Sequence, residues 1–178
     1  LLNASRLASG LSLSAPTVTK YIDLLVDLLL VRRLRPLHAN AGKRLVKSPK
    51  LYVRDSGLLR FLLHLQDRDD LMAHPRMGAS WEGMVIENLV RGLAAAGVDF
   101  NAFHYRSGGG AEIDLVLEGE FGLLPVAIKH TQHVDARSLR ALRDFVAERG
   151  CRYGIVINND ERPRLLDDKL IGIPLAAL

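Results

Sequence analysis

The sequence has a single cysteine, Cys151, among 178 residues. No disulfide can form within the chain, so a disulfide scaffold is excluded and a cytosolic, cytoplasmic setting is expected. Long uncharged apolar runs are also missing. The most apolar stretch, Ile22 to Leu34, is interrupted by Asp23, Asp27, Arg32 and Arg33. No membrane span is expected there. The first residues lack a basic start followed by an apolar stretch, so no signal peptide is expected. Ser107 to Gly110 reads SGGG. It lacks the lysine and the serine or threonine of a phosphate-binding loop, and the motif is absent elsewhere. Nucleotide hydrolysis by this chain alone is therefore not expected. The sequence opens on Leu1 and Leu2, which reads as a fragment of something longer.

What is present is apolar content of 48%, enough to build a core in one or two domains. The net charge of +4 is unevenly placed. Residues 1–60 hold 11 Lys or Arg against 3 Asp, a balance of +8, and the remainder carries −4. The first third is therefore the candidate for meeting an anionic polymer.

That first third reads as a small helical module. Leu7, Ala8 and Leu11 suggest a short helix. Ser14 can cap a second, with Pro16 in its first turn. Val18, Tyr21, Ile22, Leu25 and Leu29 recur at three and four residues. Two helices with a break between them predict a helix-turn-helix. Val31, Leu34 and Leu37 then predict a strand, Asn40 to Gly42 a turn, and Leu45 with Val46 a returning strand, which together form a wing. Thr17, Thr19 and Lys20 would begin the recognition helix. Arg32, Arg33, Arg35, Lys43, Arg44 and Lys47 would contact DNA phosphates, which position a protein without specifying sequence. The leucines between Leu24 and Leu30 exceed one helix face and predict packing on two sides, including against the second part. Leu51 to Val53 is a short strand, and Asp55 or Ser56 caps a helix over 57–65. Gln66 to Asp70 is polar, with a linker expected before Gly78. The module spans 1–70 and a second domain 71–178.

In the second part, Ser80 to Ala96 predicts a helix ended by Gly97. Glu82 shares its apolar stripe with Ile86, Leu89 and Leu93. A carboxylate on such a stripe must be paired, protonated or metal-bound. Glu87 lies off that stripe and is expected at the surface, paired with Arg91. Asn101 to Tyr105 predicts a strand. Ile113 to Leu117 and Pro125 to Lys129 predict a hairpin turning at 119–122. Asp135 to Gly150 predicts a helix, Cys151 to Ile157 a strand, and the tail from Ile171 a last strand. The order predicts an α/β domain with a mixed sheet. Glu82, Asp114 and Lys129 would form a phosphodiester-cleaving constellation. Its carboxylates would hold Mg²⁺ while the lysine orients water or offsets negative charge. His130 and His133 are three residues apart, but His104 and Cys151 are distant further ligands, so zinc is not expected.

WEGMVIENL, AEIDLVLE and VAIK together resemble the PD-(D/E)xK nuclease-like superfamily. With TVTKYIDLLVDLLLVRRLRPL and KSPKLYVRDSGLL, nearly the whole chain resembles the C-terminal region of a family of predicted bacterial and archaeal AAA-type ATPases. The resemblance implies an absent N-terminal P-loop domain that binds ATP, a winged helix, and a restriction-endonuclease-like α/β domain. It implies Glu82 as the helix acid, Asp114 as the strand acid and Lys129 as the lysine of the acid-x-lysine pair. The acid of that pair falls at Ala127, which has no oxygen to offer a metal. Glu112 is the local substitute, making Glu82, Asp114 and Glu112 the candidate metal set. The readings are a non-catalytic DNA-binding or regulatory module, a Mg²⁺-dependent nuclease using Glu112, and a protein-interaction platform. Oligomeric state is not legible.

Overall fold

The computed structural model describes residues 1–37 and 48–178. Two helices open the chain, α1 (Ala4–Leu11) and α2 (Ala15–Asp27). Ser14 accepts the Thr17 N–H and caps α2, with Pro16 in its first turn. Strands β1 (Val31–Pro36) and β2 (Lys50–Val53) follow, then α3 (Ser56–Leu62), α4 (Arg68–Ala73) and the long α5 (Met77–Ala95). Asp55 caps α3, and Asp67 caps α4 within the stretch expected to be linker. Next come β3 (Phe100–Arg106), β4 (Glu112–Gly119), β5 (Gly122–Ile128), α6 (Arg140–Glu148), β6 (Gly154–Asn158), β7 (Arg164–Asp167) and β8 (Leu170–Pro174).

All eight described strands join one mixed sheet in the order β2-β1-β3-β4-β5-β6-β8-β7. This corrects the expected wing. The antiparallel partner of β1 is Lys50–Val53, while Leu45 and Val46 lie outside the described residues. On its other edge β1 pairs in parallel with β3, Arg35 opposite Phe103 and Pro36 opposite His104. The two-stranded unit is thus continuous with the main sheet.

Alternation along the strands separates two apolar layers. Val116, Ala127 and Val156 meet Leu142, Phe145 and Val146 of α6. Leu115, Leu117, Val126, Ile128 and Ile157 meet Val85, Ile86 and Val90 of α5. Side chains such as Leu115 and Ile157 are fully buried, and each stabilises the fold by roughly 1.5–3 kcal/mol relative to exposure.

Alternation also organises the β1–β2 hairpin. Arg32 lies opposite Tyr52, and Leu34 opposite Lys50. These residues share the face turned to α5. The opposite face brings Leu51 to Val18 and Ile22 of the first helices, and Arg33 pairs with Asp23 of α2. Helix α5 therefore packs on two neighbours, the main sheet and the hairpin. Gly83 makes the second contact close, because a Cβ there would come within 2.8 Å of the Tyr52 ring.

Two expectations fail at this level. Glu87 is buried, not at the surface, because it lies one turn beyond Gly83 on the row facing the hairpin. Leu24, Leu28 and Leu29 do not pack against the second part; they are 51%, 58% and 66% exposed. Leu29 adopts a positive φ of 59° as the chain leaves α2, which ends the helical stripe before the run of leucines is complete.

Candidate functional site

Four elements bring polar side chains to one end of the α5 interface. Glu82 comes from the second turn of α5. Lys50 and Tyr52 come from β2, and Glu112 begins β4. Asp114 sits two residues further along, where β4 is irregular. There His104 of β3 stands between the pairs Phe103–Val116 and Tyr105–Ile113, so it faces both Asp114 and Leu115. The extra residue is a bulge, a device that re-aims a side chain. Asp114 uses it to turn toward β5, and its Oδ2 accepts the Ile128 N–H at 2.8 Å. The regular β4–β5 register ends beside it at Leu115 and Val126, so a side chain takes over where the backbone ladder stops.

The Lys50 ammonium is the centre of the cluster. It lies 2.6 Å from Glu82 Oε1, 2.7 Å from Glu112 Oε1 and 3.8 Å from Asp114 Oδ1. The Tyr52 hydroxyl donates to the same Glu82 oxygen at 2.5 Å. Arg106 reaches the other oxygen of Glu112 at 3.3 Å. The cluster opens on a cleft of about 950 Å³ between α1, β2, α3 and α5.

The titration behaviour follows from this arrangement. Burial alone would lower the Lys50 pKa, but the Glu82 charge and hydrogen bonds to Glu112 and Glu82 outweigh it and raise the value. Burial opposes ionisation of Glu112 too, yet its bond to Lys50 holds it below the usual carboxylate range. Asp114 goes the other way. Burial, and then the Glu82 charge, push it up to about 6 against the favourable Ile128 hydrogen bond. Burial and the Glu82 charge also push the Tyr52 phenol upward, which keeps it a neutral donor. His104 is fully buried and bonded through Nε2 to the Ser48 carbonyl at 3.2 Å. Burial and then the Lys50 charge lower its pKa, so its neutral form is favoured.

The structure brings Glu82, Glu112 and Asp114 together as the sequence suggests. It does not bring the Lys129 ammonium into ion-pair contact among the described residues. Lys129 is half-buried, its backbone N–H donates to Ile157, and its charge acts on Asp114 without an ion pair. Ala127 lies in the layer packed by α6, whereas Glu82 arrives from α5 on the other face. The cation in contact with the acids is Lys50, which sequence reading passed over as the residue before a strand. The available signal was its place two residues before Tyr52 on an alternating strand. As arranged, the three acids surround an ammonium. The Lys50 ammonium fills the position between Glu82 and Glu112 that a cation would take, so with Lys50 in place these residues do not fit Mg²⁺. His130 instead packs edge-on against Trp81, ring centroids 4.5 Å apart, and His133 is exposed.

The residues assigned to DNA divide into groups. Lys20 and Arg35 are exposed. The Thr17 hydroxyl bonds with that of Ser14, and Thr19 donates back to the Ala15 carbonyl. Arg32 is held by Glu87 and Arg33 by Asp23. Lys43, Arg44 and Lys47 lie outside the described residues.

Residues 77–178 match the model of a family described as a domain of unknown function, DUF4143. Residues 1–69 match a second one, DUF8612. The first match covers more than half of the chain, which therefore belongs to the DUF4143 family. Among curated proteins, the chain is 38% identical over 176 residues to the uncharacterized proteins Rv2008c of Mycobacterium tuberculosis and Mb2031c of Mycobacterium bovis. The match covers 98% of this chain and 38% of each relative. No solved structure matches the chain. Among the described residues no helix is long and apolar enough to cross a membrane.

Proposed function

We propose that this chain is a non-catalytic DNA-binding or regulatory module belonging to the C-terminal region of an AAA-type ATPase. Its α/β domain is a restriction-endonuclease-like fold whose nuclease-type site has degenerated. The observation that carries this reading is the Lys50 ammonium set among Glu82, Glu112 and Asp114. A lysine there supplies the positive charge that a metal would bring, but no open coordination position and no activated water. Alanine at 127 agrees with the loss of a metal ligand. The excess of basic residues in the first third, with Lys20 and Arg35 exposed, supports contact with a nucleic-acid backbone. The length of the relatives leaves room for an ATP-binding domain elsewhere in such proteins.

The binding half of the proposal is tested by titrating labelled duplex DNA at several salt concentrations. Phosphate contacts predict affinity that falls steeply with salt, and a shallower slope for Lys20→Ala and Arg35→Ala, by roughly one unit per contact. Absence of binding at low salt would reject it.

A second reading has one observation in its favour. Glu112 stands in the same cluster as Glu82 and Asp114, where a substitute acid would be needed. A Mg²⁺-dependent nuclease on this chain requires Lys50 to leave that cluster.

A further inference from the structure

The opposite end of the α5–hairpin interface holds a second charged cluster. Glu87 is buried at 4% exposure. Arg32 grips both of its oxygens, through Nε at 2.6 Å and Nη2 at 3.2 Å. Arg54 Nε reaches it at 2.7 Å and Arg91 Nε at 3.2 Å. Burial resists ionisation of Glu87, but the arginine hydrogen bonds overcome it and lower its pKa. The cluster therefore combines one negative charge with three positive ones, an excess of +2.

One carboxylate orders three guanidiniums but cannot satisfy them. Each carries a fork of N–H donors, far more than the lone pairs of one carboxylate accept. Arg54 and Arg91 both spend their Nε on Glu87. Their terminal amino groups meet no other carboxylate within ion-pair distance among the described residues. Arg91 remains two-thirds exposed, and Arg32 and Arg54 keep about a fifth of their side-chain surface in solvent. Donors held in place before a ligand arrives lose little entropy on binding it. Planar guanidinium forks match the oxygens of a phosphate group.

We infer that Arg32, Arg54 and Arg91, ordered by Glu87, form a binding site for a phosphate group. The site stands apart from the Lys50 cluster and does not depend on the DNA-binding reading. The phosphate can belong to a nucleic-acid backbone or to a free phosphate ligand.

The test titrates inorganic phosphate into the chain at constant ionic strength, reading the unfolding temperature and ³¹P line width. The site predicts saturable stabilisation that chloride does not reproduce. Arg91→Ala and Arg54→Lys are each expected to weaken phosphate affinity roughly tenfold. Arg91 is exposed enough for its variant to stay folded. Arg143→Ala, which removes the distant pair with Asp167, is expected to bind as the parent does. No saturable effect, or an affinity in Arg91→Ala and Arg54→Lys equal to that of the parent chain, overturns the inference. Short duplex DNA that displaces phosphate, with both weakened by Arg91→Ala, identifies a backbone phosphodiester as the source. Phosphate binding that DNA does not displace identifies a free phosphate ligand. DNA binding that fails while phosphate binding holds counts against the module reading alone.

Discussion

Lys50 and Glu82 meet at 2.6 Å across the contact between β2 and α5. Four residues after Lys50, Arg54 meets Glu87 on the same helix at 2.7 Å. One interface is thus fastened at both ends by ion pairs between residues far apart in sequence. Its middle is closed by Tyr52 against Gly83.

Removing the first fastening leaves carboxylates without their cation. Lys50→Met is expected to destabilise the protein by about 3 kcal/mol, as for breaking a buried pair from one side. Combining it with Glu82→Gln should recover part of the loss. Urea unfolding of the single and double variants measures the coupling, and simple additivity would show that the two groups do not interact.

Glu87→Gln strips the negative charge from three arginines and should cost about 3 kcal/mol at neutral pH. The folded pKa of Glu87 is lowered from its ordinary 4.5. Its contribution is therefore present above that value and lost as pH falls through the lower folded one. The variant should accordingly show a smaller loss of stability than the parent below pH 4.5. Unfolding curves across that window supply the check, and parallel pH profiles would contradict it.

Asp114 titrates in the opposite sense. Its folded pKa of about 6 lies above the ordinary 3.8, so its protonation favours the fold most fully below 3.8. That contribution fades as pH rises through about 6. Glu82→Gln removes one of the two causes of the rise, and carbon-detected NMR titration should find the Asp114 pKa lower. An unchanged value would mean that the Glu82 charge has no part in the rise.

Gly83→Ala places a methyl 2.8 Å from the Tyr52 ring. Overpacking of this kind is expected to cost roughly 1–3 kcal/mol. In a Tyr52→Ala background the same change should cost much less. Equal costs in the two backgrounds would place the strain elsewhere.

Much of this arrangement was legible in sequence because it is local. The alternation from Ile113 to Leu117 and from Pro125 onward marked the β4–β5 hairpin, and the stripe through Glu82, Ile86 and Leu89 marked α5. The meeting of Glu82, Glu112 and Asp114 was legible only as an expectation, since it depends on strand register. Lys50 was missed because its partners lie 32 or more residues away, and periodicity says which face a residue occupies without naming what covers it. Glu87 was misread for a related reason. A one-stripe helix has a wet far side, but α5 packs on two neighbours. The leucines after Leu24 show the converse, since an apolar run in sequence does not guarantee a covering surface.

The most direct test of the degenerate-site account is cleavage of labelled single-stranded, double-stranded and branched DNA in Mg²⁺ or Mn²⁺. The parent chain would run beside Asp114→Ala and Lys129→Ala. The account predicts binding without cutting by all three proteins, because Lys50 holds the acidic centre. Metal-dependent cutting by the parent that both variants lose would contradict it, and would make the cluster a working nuclease site.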